Sequence, residues 1–271
     1  MRIRKITSAA HPLIRQTAAL IRRRGQEQSG LFLAEGTHLA EAALDASVSL
    51  HQLFFSPGYR SNADGERLLS RAEMAGAELV EVSEQLLKKI SDAATPQGIV
   101  VTVSIPERFL SAFHPPANPV LAVCDGISDP GNLGTIIRIA DAADAAGVIL
   151  LSGCCDPLAP KVVRATAGSL FHLPLMRADA DELTAFLAGQ GIPLLATAPR
   201  GDISLYDTDL TGPCALVVGN ESRGTSPFLL AKAQRRLRIP MPGKAESLNA
   251  AVAAALCLFE AVRQRNRPPR P

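Results

Sequence analysis

Several patterns that define common protein classes are missing from this 271-residue sequence. No apolar run approaches the roughly 18–20 residues that a helix needs to cross a bilayer. The basic start, Met1-Arg-Ile-Arg-Lys5, is not followed by the apolar core of a secretion signal. These absences predict a protein without a membrane partner and favour the cytoplasm as its location.

The motifs of several large enzyme classes are missing as well. No G-x-G-x-x-G follows a predicted strand and no G-x-x-x-x-G-K-[ST] occurs, which argues against NAD-type oxidoreductases, conventional Rossmann methyltransferases and P-loop NTPases. H-E-x-x-H and G-x-S-x-G are also absent, which argues against zinc proteases and α/β-hydrolases. The five cysteines form no C-x-x-C pair and have no histidines at metal-ligand spacing, so we expect reduced thiols and no metal.

The composition that is present is that of a globular protein. Hydrophobic residues make up 47% and charged residues 20% of the chain, which suits a sizeable core in one large domain or two ordinary ones. The net charge of +2 is small, but the charges are unevenly distributed.

Three clusters of basic residues stand out. The first 26 residues contain seven Lys or Arg and no acid. A second cluster comprises Lys232, Arg235, Arg236 and Arg238, and a third comprises Arg263, Arg265, Arg267 and Arg270. Such clusters suit a polyanion, because neutralising phosphates drives nucleic-acid binding. For the first cluster, a solvated helix face is as good an explanation as nucleic-acid binding. For the third cluster, a solvated helix face or a loose tail is the better explanation.

Four prolines crowd the stretch from Ser104 to Pro119 and predict a linker between two halves. The first half alternates helical and strand patterns as in a small α/β sandwich, with one basic amphipathic helix predicted over His11–Arg24. The predicted ranges are 1–104 for the first domain, 105–118 for the linker, 119–267 for the second domain and 268–271 for a tail.

The second half alternates continuous apolar strands with helices, which predicts a parallel sheet covered on both faces. One helix is predicted over Asn132–Ala146. Ser247 is predicted to cap a long final helix, with Asn249 in the first turn. Asparagine is a poor helix former, so Asn249 at this place calls for a functional explanation.

Polar, glycine-rich turns follow three of the predicted strands, at the sheet edge where ligands of parallel sheets bind. They span 125–138, 217–227 and 239–251. Each also has a purely structural interpretation: Arg138 could pair with Asp141 or Asp144, Asn220 could adopt a left-handed conformation, and Ser247 could be only a cap.

These three turns, in this order and spacing, resemble the motifs of the SpoU (TrmH) RNA 2′-O-ribose methyltransferases of the SPOUT superfamily. The shared motifs are N-x-G-x-x-x-R at 132–138, G-N-E-x-x-G at 219–224 and I-P-M…S-L-N at 239–249. The stretch P-K-V-V-R-A-T-A-G at 160–168 is similar to the family too. In the first half, Phe32-Leu-Ala-Glu-Gly36 and Thr95-Pro-Gln-Gly98 resemble the ribosomal-protein-like RNA substrate-binding domain often fused in front.

The resemblance implies an α/β protein with a C-terminal knotted (trefoil) parallel-sheet SPOUT domain, preceded by a small α/β RNA-binding domain. It implies a homodimer, S-adenosyl-L-methionine as cofactor and an active site near the subunit interface. The residues that match the family's cofactor pocket are Thr197, Gly219, Ile239, Met241, Ser247 and Leu248. The residues that match its catalytic set are Asn132, Arg138, Glu221, Ser247 and Asn249.

The RNA contacts that we expect are Arg15, Arg22, Arg23, Arg24, Glu35 and Arg138. Arg138 has been regarded as the base in this family, but a guanidinium with a pKa above ~12 is normally a permanent cation. We expect it instead to hold a phosphate and stabilise the developing oxyanion. Glu221 and Asn249 would then order the substrate and position the hydroxyl.

The predicted reaction is methyl transfer to a ribose 2′-hydroxyl in RNA, with 23S ribosomal RNA preferred because of the N-terminal domain. Transfer RNA is an alternative substrate, and a non-catalytic RNA-binding ribosome assembly factor is an alternative function. Antibiotic resistance through methylation has no signature in the sequence.

Overall fold

A computed structural model describes residues 1–106 and 109–266 of the chain. These residues form two compact units, and each is described by itself. The first unit contains the described residues 1–106 together with 156–172, and the second contains 109–155 and 173–266. The predicted tail, 268–271, lies outside the described residues. Within the described residues, no helix has the length and apolarity that a bilayer crossing requires.

The first unit is built on a five-stranded mixed sheet. Its strands are β1 (Ile3–Ile6), β2 (Leu31–Glu35), β3 (Leu50–Phe55), β4 (Glu78–Val82) and β5 (Ile99–Ser104). Their order across the sheet is β1-β4-β3-β5-β2, with β5 antiparallel to both of its neighbours. The sequence did not predict β1, whose apolar content is too low to indicate a buried strand.

Helices cover this sheet, and the first two differ from the prediction. They are α1 (Pro12–Ala19), α2 (Arg23–Ser29), α3 (Thr37–Asp45), α4 (Pro57–Arg60), α5 (Ala63–Met74) and α6 (Glu84–Ile90). The single helix predicted over His11–Arg24 is wrong, because the chain breaks between α1 and α2. At this break Gly25 approaches the Ala19 carbonyl so closely that a β-carbon on residue 25 would lie 2.2 Å from its oxygen. Only glycine allows this bend.

Residues 156–172, which contain helix α8 (Pro160–Ala165), pack within the first unit although the sequence grouped them with the second domain. The rings of Phe32 and Phe171 stack with centroids 6.2 Å apart. The buried Gln26 amide donates to the Leu158 carbonyl at 3.1 Å. These contacts tie the segment to the sheet of the first unit.

The second unit is built on a seven-stranded, fully parallel sheet, as the sequence predicts for its second half. Its strands are β6 (Val120–Asp125), β7 (Gly147–Leu150), β8 (Leu175–Arg177), β9 (Leu194–Thr197), β10 (Ile203–Ser204), β11 (Cys214–Gly219) and β12 (Arg235–Arg238). Their order is β10-β12-β9-β11-β6-β7-β8. Strands β6 and β11 lie side by side, so the turns that follow them emerge at the same sheet edge.

The helices of the second unit are α7 (Pro130–Ala142), α9 (Ala180–Gln190), α10 (Pro227–Lys232) and α11 (Ala250–Arg265). Helix α11 packs against α7 and against β6 and β11. Part of the predicted linker belongs to this unit, since Leu110 is buried in its core and the Phe113 ring packs against Phe186.

Candidate active site

The turn between β6 and α7 places Asn132 in the first turn of a helix. The Asp129 carboxylate accepts a hydrogen bond from the Asn132 backbone N–H at 2.8 Å and caps α7. Pro130 follows in the first turn, where its missing N–H costs nothing. The helix therefore begins at Pro130, two residues earlier than predicted.

Asn249 is the cap of α11, and this corrects the prediction that Ser247 caps the final helix. The Asn249 side-chain oxygen accepts from the backbone N–H groups of Ala251 at 2.9 Å and Val252 at 3.3 Å. Asparagine is a good cap because its short side chain reaches these otherwise unsatisfied donors. Ser247 lies upstream in an exposed, irregular segment.

Three polar side chains, one from each motif, meet in a hydrogen-bonded row. The Asn249 amide donates to the Asn132 side-chain oxygen at 2.9 Å. The Asn132 amide donates in turn to a carboxylate oxygen of Glu221. Because Asn249 is also held by its cap bonds, the row fixes one oxygen of the Glu221 carboxylate. The second carboxylate oxygen has no bond to a described residue, so it is available to a substrate hydroxyl.

The turn after β11 is held together by the Asn220 side chain, and the Asn220 backbone is not left-handed. The Asn220 side-chain oxygen accepts from the backbone N–H groups of Ser222 and Arg223, and its amide donates to the Gly126 carbonyl at 2.8 Å. Gly224, with φ of 68°, is the left-handed residue of this turn. The alternative interpretation of Asn220 as left-handed is therefore wrong, and its amide instead ties two of the motif turns together.

Gly219, at the end of β11, lies against the backbone of the returning turn. A β-carbon here would lie 2.1 Å from the Thr225 nitrogen and 2.2 Å from the Gly224 carbonyl carbon. Thr225 completes the closure by donating its hydroxyl to the Thr197 carbonyl at 2.9 Å. The turn is thus held against the end of β9, and only glycine fits at residue 219.

A cavity of about 400 Å³ lies beside this turn. Every residue of the predicted cofactor set lines it: Thr197, Gly219, Ile239, Met241, Ser247 and Leu248. Leu230 and Leu237 add apolar surface, and Glu221 links the cavity to the polar row. The wall therefore combines apolar side chains for a flat ring with backbone groups and carboxylates for polar parts of a ligand.

Arg138 lies on α7 about two turns beyond Asn132 and is exposed. Its guanidinium forms no hydrogen bond or ion pair with any residue that the structure describes, and the alternative of a simple pair with Asp141 or Asp144 is not seen. The structure therefore does not join Arg138 to the row of Asn249, Asn132 and Glu221, but leaves its charge open to a phosphate.

An apolar groove of about 570 Å³ runs between α7 and α11. Its floor and rim include Ile139, Tyr206, Val252 and Phe259, together with Asn132 and Asn249. Tyr206 is 49% exposed, and Val252 and Phe259 are each 47% exposed. Apolar side chains this exposed, and this close together, are typical of a protein interface.

The predicted RNA contacts of the first unit differ in their surroundings. Arg15, Arg22 and Arg24 are exposed. Arg23 is exposed too, but its guanidinium is paired with Glu27 at 2.6 Å, and this hydrogen bond raises the pKa of Arg23. Glu35 is buried.

The Glu35 carboxylate is bonded on both of its oxygens. It accepts from the Ser91 hydroxyl at 2.6 Å and pairs with Arg164 at 3.4 Å. Arg164 also pairs with Asp92 at 3.0 Å. With only 6% of its side chain exposed, Glu35 holds α8 within the first unit in this structure.

The third basic cluster is largely structural. Arg263 is bonded to the buried Glu260. Arg265 donates to the carbonyls of Leu210 at 3.0 Å and Asn118 at 2.8 Å, and to that of Gly212. Arg267 and Arg270 lie outside the described residues. The interpretation of this cluster as a solvated helix face is therefore wrong for Arg263 and Arg265, whose hydrogen bonds hold the end of α11 in place.

The cysteines are all free thiols. Burial raises the pKa of Cys214 to about 11 and that of Cys257 to about 12. Burial also raises the pKa of Cys124 and Cys154. None of these four thiols is poised to ionise at neutral pH, so they are not activated nucleophiles.

Three positioning residues were missed by the sequence analysis: Asp125, Asp129 and Thr225. Asp129 precedes a proline and a predicted helix, which is a cap signal that the sequence carried. The Asp125 carboxylate accepts from the Ser226 backbone N–H at 2.7 Å, and the Thr225 hydroxyl bonds across strands. No local sequence pattern predicts such contacts, because the bonded residues are about 30 to 100 positions apart in the sequence.

Comparison with known proteins agrees with this geometry. The sequence profile of the SpoU rRNA Methylase family matches residues 119–259, and that of the MRM3-like substrate binding domain matches residues 11–101. The chain belongs to the SpoU rRNA methylase family. Its two profile matches correspond to the predicted order of a substrate-binding domain followed by a methyltransferase domain.

Relatives match nearly the whole chain. The 23S rRNA (guanosine(2553)-2′-O)-methyltransferase RlmP of Bacillus subtilis is 32% identical over 95% of this chain and 98% of its own length. A 23S rRNA (uridine(2479)-2′-O)-methyltransferase of Streptomyces viridochromogenes is 32% identical over 97% of this chain and 93% of its own. The crystal structure of an AdoMet-bound rRNA methyltransferase from Sinorhizobium meliloti is 32% identical, with a TM-score of 0.87 over 96% of this chain and 98% of that one.

Proposed function

We propose that this SpoU-family enzyme transfers a methyl group from S-adenosylmethionine to a ribose 2′-hydroxyl of ribosomal RNA. The observation that carries the proposal is the row of Asn249, Asn132 and Glu221, which joins residues of all three motifs beside a cavity of cofactor size. A protein that kept only the fold would have no need to hold one carboxylate in this way.

The cavity suits the methyl donor by its shape and chemistry. Ile239, Met241 and Leu248 offer apolar surface for an adenine ring, while the backbone of the 219–225 turn offers polar groups for the ribose. When bound, S-adenosylmethionine supplies a methyl group on a positively charged sulfur. The S. meliloti relative and the AviRb methyltransferase of Streptomyces viridochromogenes were each crystallised with this molecule.

The protein groups would align the hydroxyl and stabilise charge. Glu221, held by Asn132, would accept a hydrogen bond from the 2′-hydroxyl and fix its direction. Arg138 would bind the neighbouring phosphate and stabilise the negative charge that develops on the oxygen. Asn249 positions this arrangement through its cap bonds and its bond to Asn132.

Large-subunit ribosomal RNA is the substrate that the relatives favour. Two relatives that span nearly the whole chain are named for 23S rRNA, one for a guanosine and one for a uridine. The base at the target is therefore not fixed by the family. We propose that Arg15, Arg22 and Arg24 of the first unit contact the RNA backbone, since no carboxylate in the described residues pairs with them.

A second copy of the chain is the proposed occupant of the α7–α11 groove. Asn132 and Asn249 line the groove as well as forming the polar row. A partner seated there would lie next to the proposed site, as the family resemblance implies. Exposed Tyr206, Val252 and Phe259 would be buried in such a dimer.

A knotted path is the proposed topology of the second unit. After β12 at one side of β9, the chain must return past the ends of β9 and β11 to reach α11, which packs on β11 and β6. The returning segment and the 219–225 turn line the same cavity. This crossing is where a trefoil knot would form.

The direct test is transfer of radiolabelled methyl from S-adenosylmethionine to unmodified RNA, separated into ribosomal and transfer pools. The wild-type protein is expected to label the large ribosomal RNA. Arg138→Ala is expected to lose at least about 100-fold in rate while still binding the donor by calorimetry, because it removes oxyanion stabilisation rather than the cavity. Label confined to transfer RNA would move the proposal to the tRNA alternative.

The non-catalytic alternative gives a different result. It predicts RNA binding with no label in either pool and no heat of donor binding. That outcome, obtained with folded protein and unmodified RNA, would reject the enzyme proposal.

A further inference from the structure

The second basic cluster is not used by the proposed methyl transfer, and the structure shows why it is unlike the third. It lies on α10 and β12, two elements that contain no acidic residue. The α10–β12 surface is defined here by Phe228, Lys232, Arg236, Arg238 and Arg200. No ion pair joins any of these cations to a carboxylate among the described residues.

Two members of the α10–β12 surface, Arg236 and Arg238, point to the same face of β12. The Arg236 side chain donates to the Leu230 carbonyl of α10 at 3.1 Å, so it points toward that helix. Arg238 follows two residues later on β12 and therefore points to the same face.

Arg200 belongs to this surface through the backbone of its neighbour. A β-carbon on Gly201 would lie 2.6 Å from the Arg236 carbonyl oxygen and 2.7 Å from the Arg238 nitrogen. The turn that carries Arg200 is thus pressed against β12. Asp202 is the one carboxylate on this turn, and it is exposed.

An aromatic ring lies beside one of these cations, Lys232. Phe228, in the first turn of α10, is 38% exposed, and the Lys232 ammonium lies 5.7 Å from the centre of its ring. A phenylalanine that packing alone required would be buried, as its neighbour Leu229 is. Proteins bind single-stranded RNA with exposed aromatic rings and unpaired cations, because bases stack on the rings and phosphates bind the cations.

The surface also adjoins the proposed cofactor cavity. Leu230 of α10 and Leu237 of β12 line that cavity, while their neighbours Arg236 and Arg238 face outward. An RNA strand bound on the α10–β12 surface would therefore lie near one wall of the proposed cofactor cavity.

We infer that the α10–β12 surface binds single-stranded RNA that flanks the methylated nucleotide, with a base on Phe228 and phosphates on Arg200 and Arg238. The inference rests on the proposed function, because the RNA strand bound here is the one that contains the methylated nucleotide. It adds a second RNA contact region, distinct from the basic residues of the first unit.

The test is binding of a fluorescein-labelled oligouridylate to the full chain, without methyl donor, followed by anisotropy over a range of salt concentrations. Phe228→Ala is expected to weaken binding about tenfold, whereas Phe228→Tyr keeps a ring and is expected to bind like the wild type. Arg200→Gln with Arg238→Gln is expected to lower the slope of log affinity against log salt by about 0.7 for each lost phosphate contact.

The matched control removes two cations that are already paired. Arg67 and Arg71 on α5 are bonded to Asp64 and Asp45, so Arg67→Gln with Arg71→Gln is expected to leave the slope unchanged. Arg200 and Arg238 make no bond in the described residues, so their loss is not expected to lower the unfolding temperature.

Three results would overturn the inference: an unchanged salt slope in the Arg200/Arg238 variant, an equal loss in the control pair, or equal affinity of Phe228→Ala and wild type. Methyl transfer that survives such a result would leave the proposed function in place. Conversely, variant-sensitive oligouridylate binding without any methyl transfer would reject the proposed function and not this surface.

Discussion

Asn249 uses both ends of its amide at once. Its oxygen caps α11 through two backbone N–H groups, and its nitrogen donates to Asn132, which donates to Glu221. In the proposed mechanism, stability and catalysis therefore depend on different atoms of the same residue. This division can be separated by substitution, because aspartate can accept hydrogen bonds as asparagine does but cannot donate them.

Asn249→Asp is expected to keep the helix cap and lose activity. The new carboxylate still accepts from Ala251 and Val252, so the free energy of unfolding should change by less than about 0.5 kcal/mol. It cannot donate to Asn132, and it brings a second negative charge toward Glu221. We expect the methyl-transfer rate to fall by about 100-fold, measured beside urea unfolding of the same preparation.

Asn249→Ala serves as the comparison, because it removes both functions. It should lose about 1 kcal/mol of stability along with its activity. If Asn249→Asp were as unstable as Asn249→Ala, or fully active, the division of roles between the two ends of the amide would be wrong.

We expect Cys214 to make the free energy of unfolding depend on pH in the alkaline range. Burial raises its pKa from 9.0 to about 11 in the folded protein, so the unfolded chain releases this proton first as pH rises. The thiol's stabilising contribution is therefore complete below pH 9 and is lost as pH rises through about 11. The two-unit difference corresponds to roughly 3 kcal/mol.

The measurement is the free energy of unfolding between pH 8 and about pH 11, for wild type and Cys214→Ala. The wild type should lose more stability than the variant over this range, although Lys and Tyr titrate in both. Parallel curves would show that Cys214 ionises equally easily in the folded and unfolded states.

Among the elements, the turn after β11 is tightly constrained by backbone contacts. Gly219→Ala would place a methyl group against the backbone of Thr225 and Gly224. We expect a loss of about 2–3 kcal/mol, since the backbone must shift, and a matching loss of donor affinity by calorimetry.

Gly189→Ala is the matched control for this turn. Gly189 lies in α9 and a β-carbon there would meet nothing within 4 Å. Alanine should therefore stabilise the helix by up to about 1 kcal/mol. Equal effects of the two substitutions would contradict the close approach at residue 219.

The elements also show what a sequence can and cannot predict. Continuous apolar runs are enough to predict β6 and β11, and the resemblance of the three motif turns to the SpoU family singles out Asn132, Glu221 and Asn249. The break after Ala19 and the cap at Asn249 were missed, because helical periodicity continues across both places. Residues 156–172 were grouped with their neighbours along the chain, since no local pattern reveals that Phe171 packs on Phe32.

At the scale of the whole molecule, the α7–α11 groove predicts a dimer. Phe259→Asp places a charge in the middle of the proposed interface, where desolvation makes it costly. We expect the wild type to sediment as a dimer and the variant as a monomer. Met74→Asp, at an 80% exposed position of the first unit, is the control and should remain dimeric.

A monomeric wild type at micromolar concentration would contradict the dimer and leave the groove without an occupant. A monomeric variant that keeps full methyl-transfer activity would show instead that the site is complete within one chain.

The central claim is that the methylated atom is the ribose 2′-oxygen, and the most direct measurement is the chemistry of the product. Ribosomal RNA methylated by the protein would be hydrolysed in alkali and analysed by mass spectrometry. A 2′-O-methyl group prevents the 2′-oxygen from attacking the adjacent phosphate during alkaline hydrolysis. The radiolabelled methyl group should therefore appear in one alkali-resistant dinucleotide, and this product should be lost with Arg138→Ala. Label recovered in single nucleotides carrying a methylated base would contradict methylation of the ribose.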